Sequence, residues 1–442
     1  MLNTDRFRER EDQLAQALEV NAVEALWQRY VRNNLRKQPI KDLHDYYDFH
    51  LNRRERISIT VTSILNGVYQ PRQALRLRSE KQNGIARQLV ILCPEDALIL
   101  EALCEHLSST IRECQPSQNA FYSRNLPQPR SIRDIDETFG YAWWELWPEF
   151  QDRILNFAQN HAFLAITDVA NYYDSIDFVQ LRNYIASLGH FSEVYLDFLF
   201  FTIERFVWRP DYLPYPGRGL PQIQLDAPRL LAHAFLFEID RCLVQNTNDQ
   251  FVRWMDDVDF GCDSKEQAKS ILQNIDDLLL SRGLHLNSSK TKILSGEEAC
   301  NHFQLSENRF LNVFSNRLTR LLETNRFSRI QERKRLRRKF RAFISKDLAG
   351  QWGKVVKRYF TLFGKLEDPY LEGLSIEYLH EIPSLRSNIF KYFIQIGWTE
   401  TREQILIEFI QETVDDDSFF GAIDVLLAWV PISTVKYTIR MR

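Results

Sequence analysis

The chain has 442 residues, a length that predicts about three domains. Hydrophobic residues make up 44% and charged residues 26%, which excludes a disordered or fibrous chain and leaves ample core for a globular one. The formal net charge of −3 excludes a globally basic nucleic-acid binder, so any such role must rest on local clustering. The six cysteines form no Cys-x-x-Cys pair, which argues against a zinc knuckle and suits reduced thiols. No apolar run approaches about 18 residues, and Met1–Glu11 is rich in charge. The expectation is a soluble cytoplasmic protein with no membrane span.

In chain order, residues 1–55 place Leu14, Leu18, Ala22, Ala25 and Leu26 at helix spacing. Ile57–Leu65 is apolar and closes on Asn66-Gly67. Arg72–Gly84 reads as a basic segment and Ala86–Leu92 as a strand. Pro94-Glu95-Asp96 opens a helix to about Arg112, because proline and acids suit a first turn. Residues 115–137 read as a loop, and Trp143, Trp144 and Trp147 as a helical piece made for packing. The strand Ala162–Thr167 closes on Asp168, and helices follow from Phe178 and over Glu193–Arg205. Ala227–Val244 reads as one buried helix.

Phe251–Trp254 and Val258–Cys262 predict a hairpin with Asp256 and Asp257 at its tip. Lys265–Arg282 is an amphipathic helix stopped by Gly283, and Leu284–Leu294 reads as a strand. Ser315–Phe343 reads as one helix, with a dense run of Lys and Arg between Arg326 and Arg341. The remainder is helical, with breaks at Gly364, Pro369, Pro383 and Gly397.

The chemistry concentrates at two strand ends. Adjacent carboxylates at the tip of an apolar hairpin repel one another unless cations sit there. Asp168, Asp256 and Asp257 together offer the hard oxygen ligands that a pair of Mg²⁺ ions uses, with waters and substrate phosphates completing each shell. Any one of these aspartates alone would be a turn or strand-end residue.

The motif order resembles a reverse transcriptase, and specifically bacterial enzymes of the abortive-infection and defence-associated class. Asp168-Val169-Ala170-Asn171-Tyr172-Tyr173-Asp174-Ser175-Ile176 is similar to that family's first palm motif, and Gly219-Leu220-Pro221-Gln222 to the second. Trp254-Met255-Asp256-Asp257 resembles the third. Gly283-Leu284-His285-Leu286-Asn287 with Lys290-Thr291-Lys292 resembles the fourth. Lys81 and Ala86-Arg87-Gln88-Leu89-Val90 resemble the triphosphate-holding fingers segment, so the likeness spans roughly residues 60–295.

The resemblance implies an α+β fold: a right-hand polymerase of fingers, palm and thumb with a C-terminal α-helical domain. The implied divisions are an N-terminal helical region (1–56), fingers with part of the palm (57–165), palm (166–300), helical thumb (301–360) and the C-terminal domain (361–442). It implies RNA-templated DNA synthesis with two Mg²⁺ ions, Mn²⁺ serving as a substitute. Asp168 and Asp256 would bridge the ions, the Val169 carbonyl would add a ligand, and Asp257 would be a weaker partner. Lys81 and Arg87 would neutralise triphosphate charge, Gln222 would line the nucleotide site, and Lys290 would give a proton to pyrophosphate. Tyr173, five residues after Asp168, would collide with a ribose 2′-hydroxyl and so favour deoxynucleotides. Arg329, Arg333, Arg337 and Arg341 fall where a thumb belongs and would track the nucleic-acid backbone. The implied partners are an RNA template such as a dedicated non-coding RNA, deoxynucleotides and the DNA product; a homo-oligomer or a partner protein is compatible with this.

Departures from the pattern are Ile223 where glycine is usual, Asp226 and Ala227 where small hydroxylated residues are commoner, and Trp254 in place of Tyr or Phe. Three rivals remain: an RNA-binding scaffold with a vestigial polymerase site, an RNA-making polymerase, and an intron- or retron-type enzyme. The intact carboxylates disfavour the first, Tyr173 the second, and the missing Val-Thr-Gly signature a retron.

Overall fold

The computed structural model describes residues 12–40, 42, 44–122, 143–210, 212–324, 329–346 and 348–440. The expectations for residues 1–11, for most of the 115–137 loop, for the Trp143 and Trp144 side chains and for Arg326 lie outside what is described. The chain divides into two compact units, Met1–Arg76 with Leu89–Gly296, and Leu77–Gln88 with Glu297–Arg442.

The first unit is built on a five-stranded sheet in the order β3-β5-β6-β4-β7. Its strands are β3 (Ala120–Phe121), β4 (Phe163–Asp168), β5 (Phe251–Trp254), β6 (Asp257–Cys262) and β7 (Lys292–Ser295). β3 runs parallel to β5, and the other pairings are antiparallel. β4 is buried along nearly its whole length, which explains its continuous apolar run: a strand covered on both faces has no solvent side to alternate with. Helices Trp143–Asn160, Phe237–Thr247 and Lys265–Leu280 pack against these strands. The helix Pro94–Glu113 starts as expected, with Pro94 at its first position and Glu95 and Asp96 in its first turn, and buries Leu98, Leu103 and Leu107.

Three expected elements are redrawn in this unit. Ala227–Val244 is two helices, Ala227–Phe235 and Phe237–Thr247, because Leu236 leaves helical geometry at φ −95° and ψ 6°. The strand expected over Leu284–Leu294 shrinks to β7, because the amides of Lys290 and Thr291 fold back onto the Asn287 carbonyl and close a turn. Asp257 belongs to strand β6, leaving Met255 and Asp256 as the tip.

The basic segment before Gly84 is a strand. β1 (Leu75–Gln82) and β2 (Ile85–Ile91) form a two-stranded hairpin turning on Asn83 and Gly84, both with positive φ (52° and 77°). Two left-handed residues, one of them glycine, suit the mirror-image turns that match strand twist. β1 escapes a periodicity reading because its alternation, Leu75-Arg76-Leu77-Arg78, stops after four residues and gives way to the wholly polar Ser79-Glu80-Lys81-Gln82.

The second unit holds the segment 77–88 and a set of helices around its own core, which includes Phe314, Leu336, Tyr359, Phe363, Ile389, Phe393 and Leu406. The single helix expected over Ser315–Phe343 is two, Leu305–Thr324 and Arg329–Ile344. Helices Trp352–Lys365, Glu372–Glu381, Arg386–Ile396, Glu400–Glu412 and Asp416–Arg440 follow. Among the described residues no helix is long and apolar enough to cross a membrane. None of the six cysteines forms a disulfide.

Candidate active site

The tip of the β5–β6 hairpin is a two-residue turn, since Trp254 pairs with Asp257. Met255 there adopts φ 57°, a conformation that costs a non-glycine residue on the order of 1 kcal/mol. Arg253, on the apolar strand β5, holds it in place. Its guanidinium is fully buried, lies 2.6 Å from each oxygen of Asp240, and donates to the Met255 carbonyl at 2.9 Å. Sequence reading missed this pair; the one local signal was a charge inside the run Phe251-Val252-Arg253-Trp254. Trp254 is walled by Phe121, stacked at 6.1 Å, and by Trp147 and Phe150, each at 5.5 Å.

Across the sheet, Asp168 at the end of β4 is the direct register partner of Asp257 at the start of β6. Directly opposed residues in an antiparallel pair send their side chains to the same face, with Cβ atoms about 5 Å apart. Asp256 sits one residue away at the tip, and its carboxyl is pushed up to about 6 by burial, then by the charges of Asp257 and Asp168. Lys290 donates to Asp168 Oδ2. Burial works against the Lys290 charge, yet this hydrogen bond and the three aspartates raise its pKa above the ordinary lysine value. Asp168 is buried, and its Oδ1 has no hydrogen-bond partner.

A buried carboxylate oxygen without a donor, beside an acid raised by burial and by like charges, is an environment that a divalent cation would relieve. The donor set is all carboxylate, the chemistry that suits Mg²⁺ or Mn²⁺. Among the described residues no three His, Cys, Asp or Glu side chains are drawn into a closed ligand set, and the Lys290 ammonium meets Asp168 instead.

The flanking motifs are stitched to this centre by backbone hydrogen bonds. The amide of Asn287 donates to the Asp168 carbonyl and that of Ala170 to the His285 carbonyl, each at 2.8 Å, while Val169 bridges Leu286. The amides of Gly219 and Leu220 donate to the carbonyls of Ile176 and Tyr173, also at 2.8 Å. The segments 168–176, 219–222 and 283–291 therefore form one platform. Asn171 turns the chain after β4 at φ 46°. Tyr173 is half-buried within the platform, and Gln222 accepts the Val90 amide on its carbonyl at 2.9 Å while its side chain reaches Asp174 at 3.4 Å. Ile223 packs against the core of the unit.

The remaining expected residues belong to the second unit. Lys81 and Arg87 are exposed on β1 and β2, either side of the Asn83-Gly84 turn. Arg329, Arg333, Arg337 and Arg341 form one stripe of the helix Arg329–Ile344, and each meets a protein partner in the 366–370 segment. Arg329 pairs with Glu367, Arg333 donates to the Leu366 carbonyl at 2.7 Å, Arg337 grips the fully buried Asp368, and Arg341 lies 5.7 Å from the Tyr370 ring centroid. Lys334 and Arg338 of the same helix are exposed.

No curated protein matches the chain. The family described as reverse transcriptase (RNA-dependent DNA polymerase) matches residues 79–329, more than half of the 442. Four motif segments meeting around paired strand-end carboxylates fit that match, and the chain belongs to the reverse transcriptase family, an RNA-directed DNA polymerase of the nucleotidyltransferase class.

Proposed function

We propose that this polymerase copies RNA into DNA by a two-metal reaction and does so in antiphage defence. The observation that carries the metal reading is the register pairing of Asp168 with Asp257, next to an Asp256 whose carboxyl is raised to about 6. Asp168 and Asp256 would hold two Mg²⁺ or Mn²⁺ ions, with the Val169 carbonyl and Asp257 as further ligands. When bound, such ions activate a primer 3′-hydroxyl and neutralise the leaving pyrophosphate.

The chain's own residues would do the rest. Lys81 and Arg87 bind triphosphate oxygens, the latter as a planar fork. Lys290 stays protonated beside the aspartates and gives its proton to the pyrophosphate. The Tyr173 ring excludes a ribose 2′-hydroxyl, Gln222 lines the nucleotide, and Trp254 walls the primer end. The fingers (57–165), palm (166–300), thumb (301–360) and C-terminal helices (361–442) divide these tasks. The helix Arg329–Ile344 follows the template–primer backbone, with Lys334 and Arg338 joining whatever share of the arginine stripe is released from the 366–370 segment. An RNA template, deoxynucleotides and a DNA product are the partners. The defence role is supported by the likeness to the abortive-infection class.

Incorporation of labelled deoxynucleotides on RNA, and phage plating, are measured for the wild type and for Asp256→Asn/Asp257→Asn. Loss of both incorporation and protection is expected. Protection that survives without incorporation would establish the scaffold reading instead. Tyr173→Ala is expected to raise ribonucleotide use relative to deoxynucleotide use.

A further inference from the structure

We infer that three consecutive aspartates, Asp415, Asp416 and Asp417, act with Arg386 as a clamp that keeps the hairpin bearing Lys81 and Arg87 ordered before a nucleotide arrives. This rests on the reading of that hairpin as the triphosphate-binding segment. An isolated two-stranded ribbon is marginal in water, and its outer edge leaves amide N–H groups unpaired. Here the second unit supplies the missing acceptors. Asp416 Oδ2 accepts the Arg78 amide at 2.8 Å, and Asp415 Oδ1 accepts the Glu80 amide at 2.9 Å. Residues two apart in a strand direct their amides to the same edge, so the two carboxylates stand in for a neighbouring strand. Asp417 accepts the Ser79 hydroxyl at 2.9 Å between them.

Arg386 ties this edge to the helical core. Its Nη1 lies 2.7 Å from Glu80 Oε2 and 3.5 Å from Asp415 Oδ2, and its Nε donates to the Leu379 carbonyl at 2.7 Å. Arg386 and Asp415 are only 6% and 4% exposed, so this is a fixed, desolvated junction rather than a solvated surface pair. Glu80 also accepts the Gly84 amide at 2.8 Å through its other oxygen. One glutamate thus links the turn between Lys81 and Arg87 to an arginine seated in the C-terminal helices. A hairpin already ordered before the nucleotide arrives removes an ordering cost from binding. Losing the clamp should raise KM for deoxynucleotides and leave the chemical step alone.

The test uses the full chain. In Asp416→Ala/Asp417→Ala, amide exchange of residues 77–88 is expected to accelerate about tenfold, and deoxynucleotide KM to rise about tenfold with kcat within about twofold. Asp416→Asn, which keeps an acceptor oxygen, stays near wild type. Glu80→Gln, a milder variant that weakens only the Arg386 tie, moves KM in the same direction. Adding Lys81→Ala to the double alanine variant raises KM by less than the product of the separate effects. A loosened hairpin with unchanged KM overturns the positioning role, and unchanged exchange overturns the clamp. If Lys81→Ala and Arg87→Ala in the otherwise wild-type chain leave KM unchanged, the triphosphate reading of the hairpin fails, separately from the clamp.

Discussion

Asp168 and Asp257 stand directly opposite each other across the antiparallel strands β4 and β6, with Asp256 at the adjoining turn. Three acids drawn together this closely oppose one another, and Lys290 offsets only part of the repulsion. Removing one charge should therefore stabilise the metal-free protein while destroying its activity. Asp257→Asn is expected to raise Tm in chelator by about 2–4 °C and to reduce deoxynucleotide incorporation to background. Saturating Mg²⁺ should raise the wild-type Tm, by about 2.7 kcal/mol of stabilisation at a hundredfold excess over Kd, and raise the variant's much less. Thermal melts with and without Mg²⁺ check both expectations.

Arg253 and Asp240 are fully buried against each other, and burial alone would push the Asp240 carboxyl up. Arg253→Met leaves that carboxylate without its partner and should cost about 3–5 kcal/mol by denaturant unfolding. Arg253→Met/Asp240→Leu should recover most of this stability. It should not recover activity, because nothing then holds the Met255 carbonyl at its left-handed turn.

His233 is fully buried, stacked on Tyr122 at 4.7 Å and 3.1 Å from Gln115 Oε1. Burial, and then the Arg253 charge, hold its pKa well below the ordinary value near 6.5. The unfolded chain therefore binds the proton more readily than the folded one. Stability is full above about pH 6.5 and falls as pH drops, by up to about 1.4 kcal/mol per pH unit. Part-buried His106, also lowered by burial, adds to this slope. His233→Gln should flatten the pH dependence of the denaturant midpoint between about pH 5 and pH 6.5.

On the helix Arg329–Ile344 the two faces should respond differently. Arg337→Ala leaves the buried Asp368 without its charged partner, with the Tyr370 amide still donating to it at 3.2 Å, and should cost about 1.5–3 kcal/mol. Lys334→Ala/Arg338→Ala, on exposed side chains, should change stability by less than about 0.5 kcal/mol. It should instead lower the salt dependence of template binding, by about one unit of log–log slope for each phosphate no longer neutralised. Binding titrations over a range of salt concentrations, beside unfolding curves, separate the two.

Local patterning carried a large part of this protein. The apolar run ending at Asp168, the hairpin around Asp256 and the Pro94 helix start all follow from side-chain shape, turn chemistry and helix dipoles, which act over a few residues. Tertiary structure decided what depends on distant partners. It made Asp257 rather than Asp256 the residue facing Asp168, because register is set by packing on both faces of the sheet. It turned β1 into a strand despite an unpromising sequence, since its edge is satisfied by carboxylates more than 300 residues away. It also gave the arginine stripe protein partners in the 366–370 segment, because a charged helix face reads the same in sequence whether it meets phosphate or a buried aspartate.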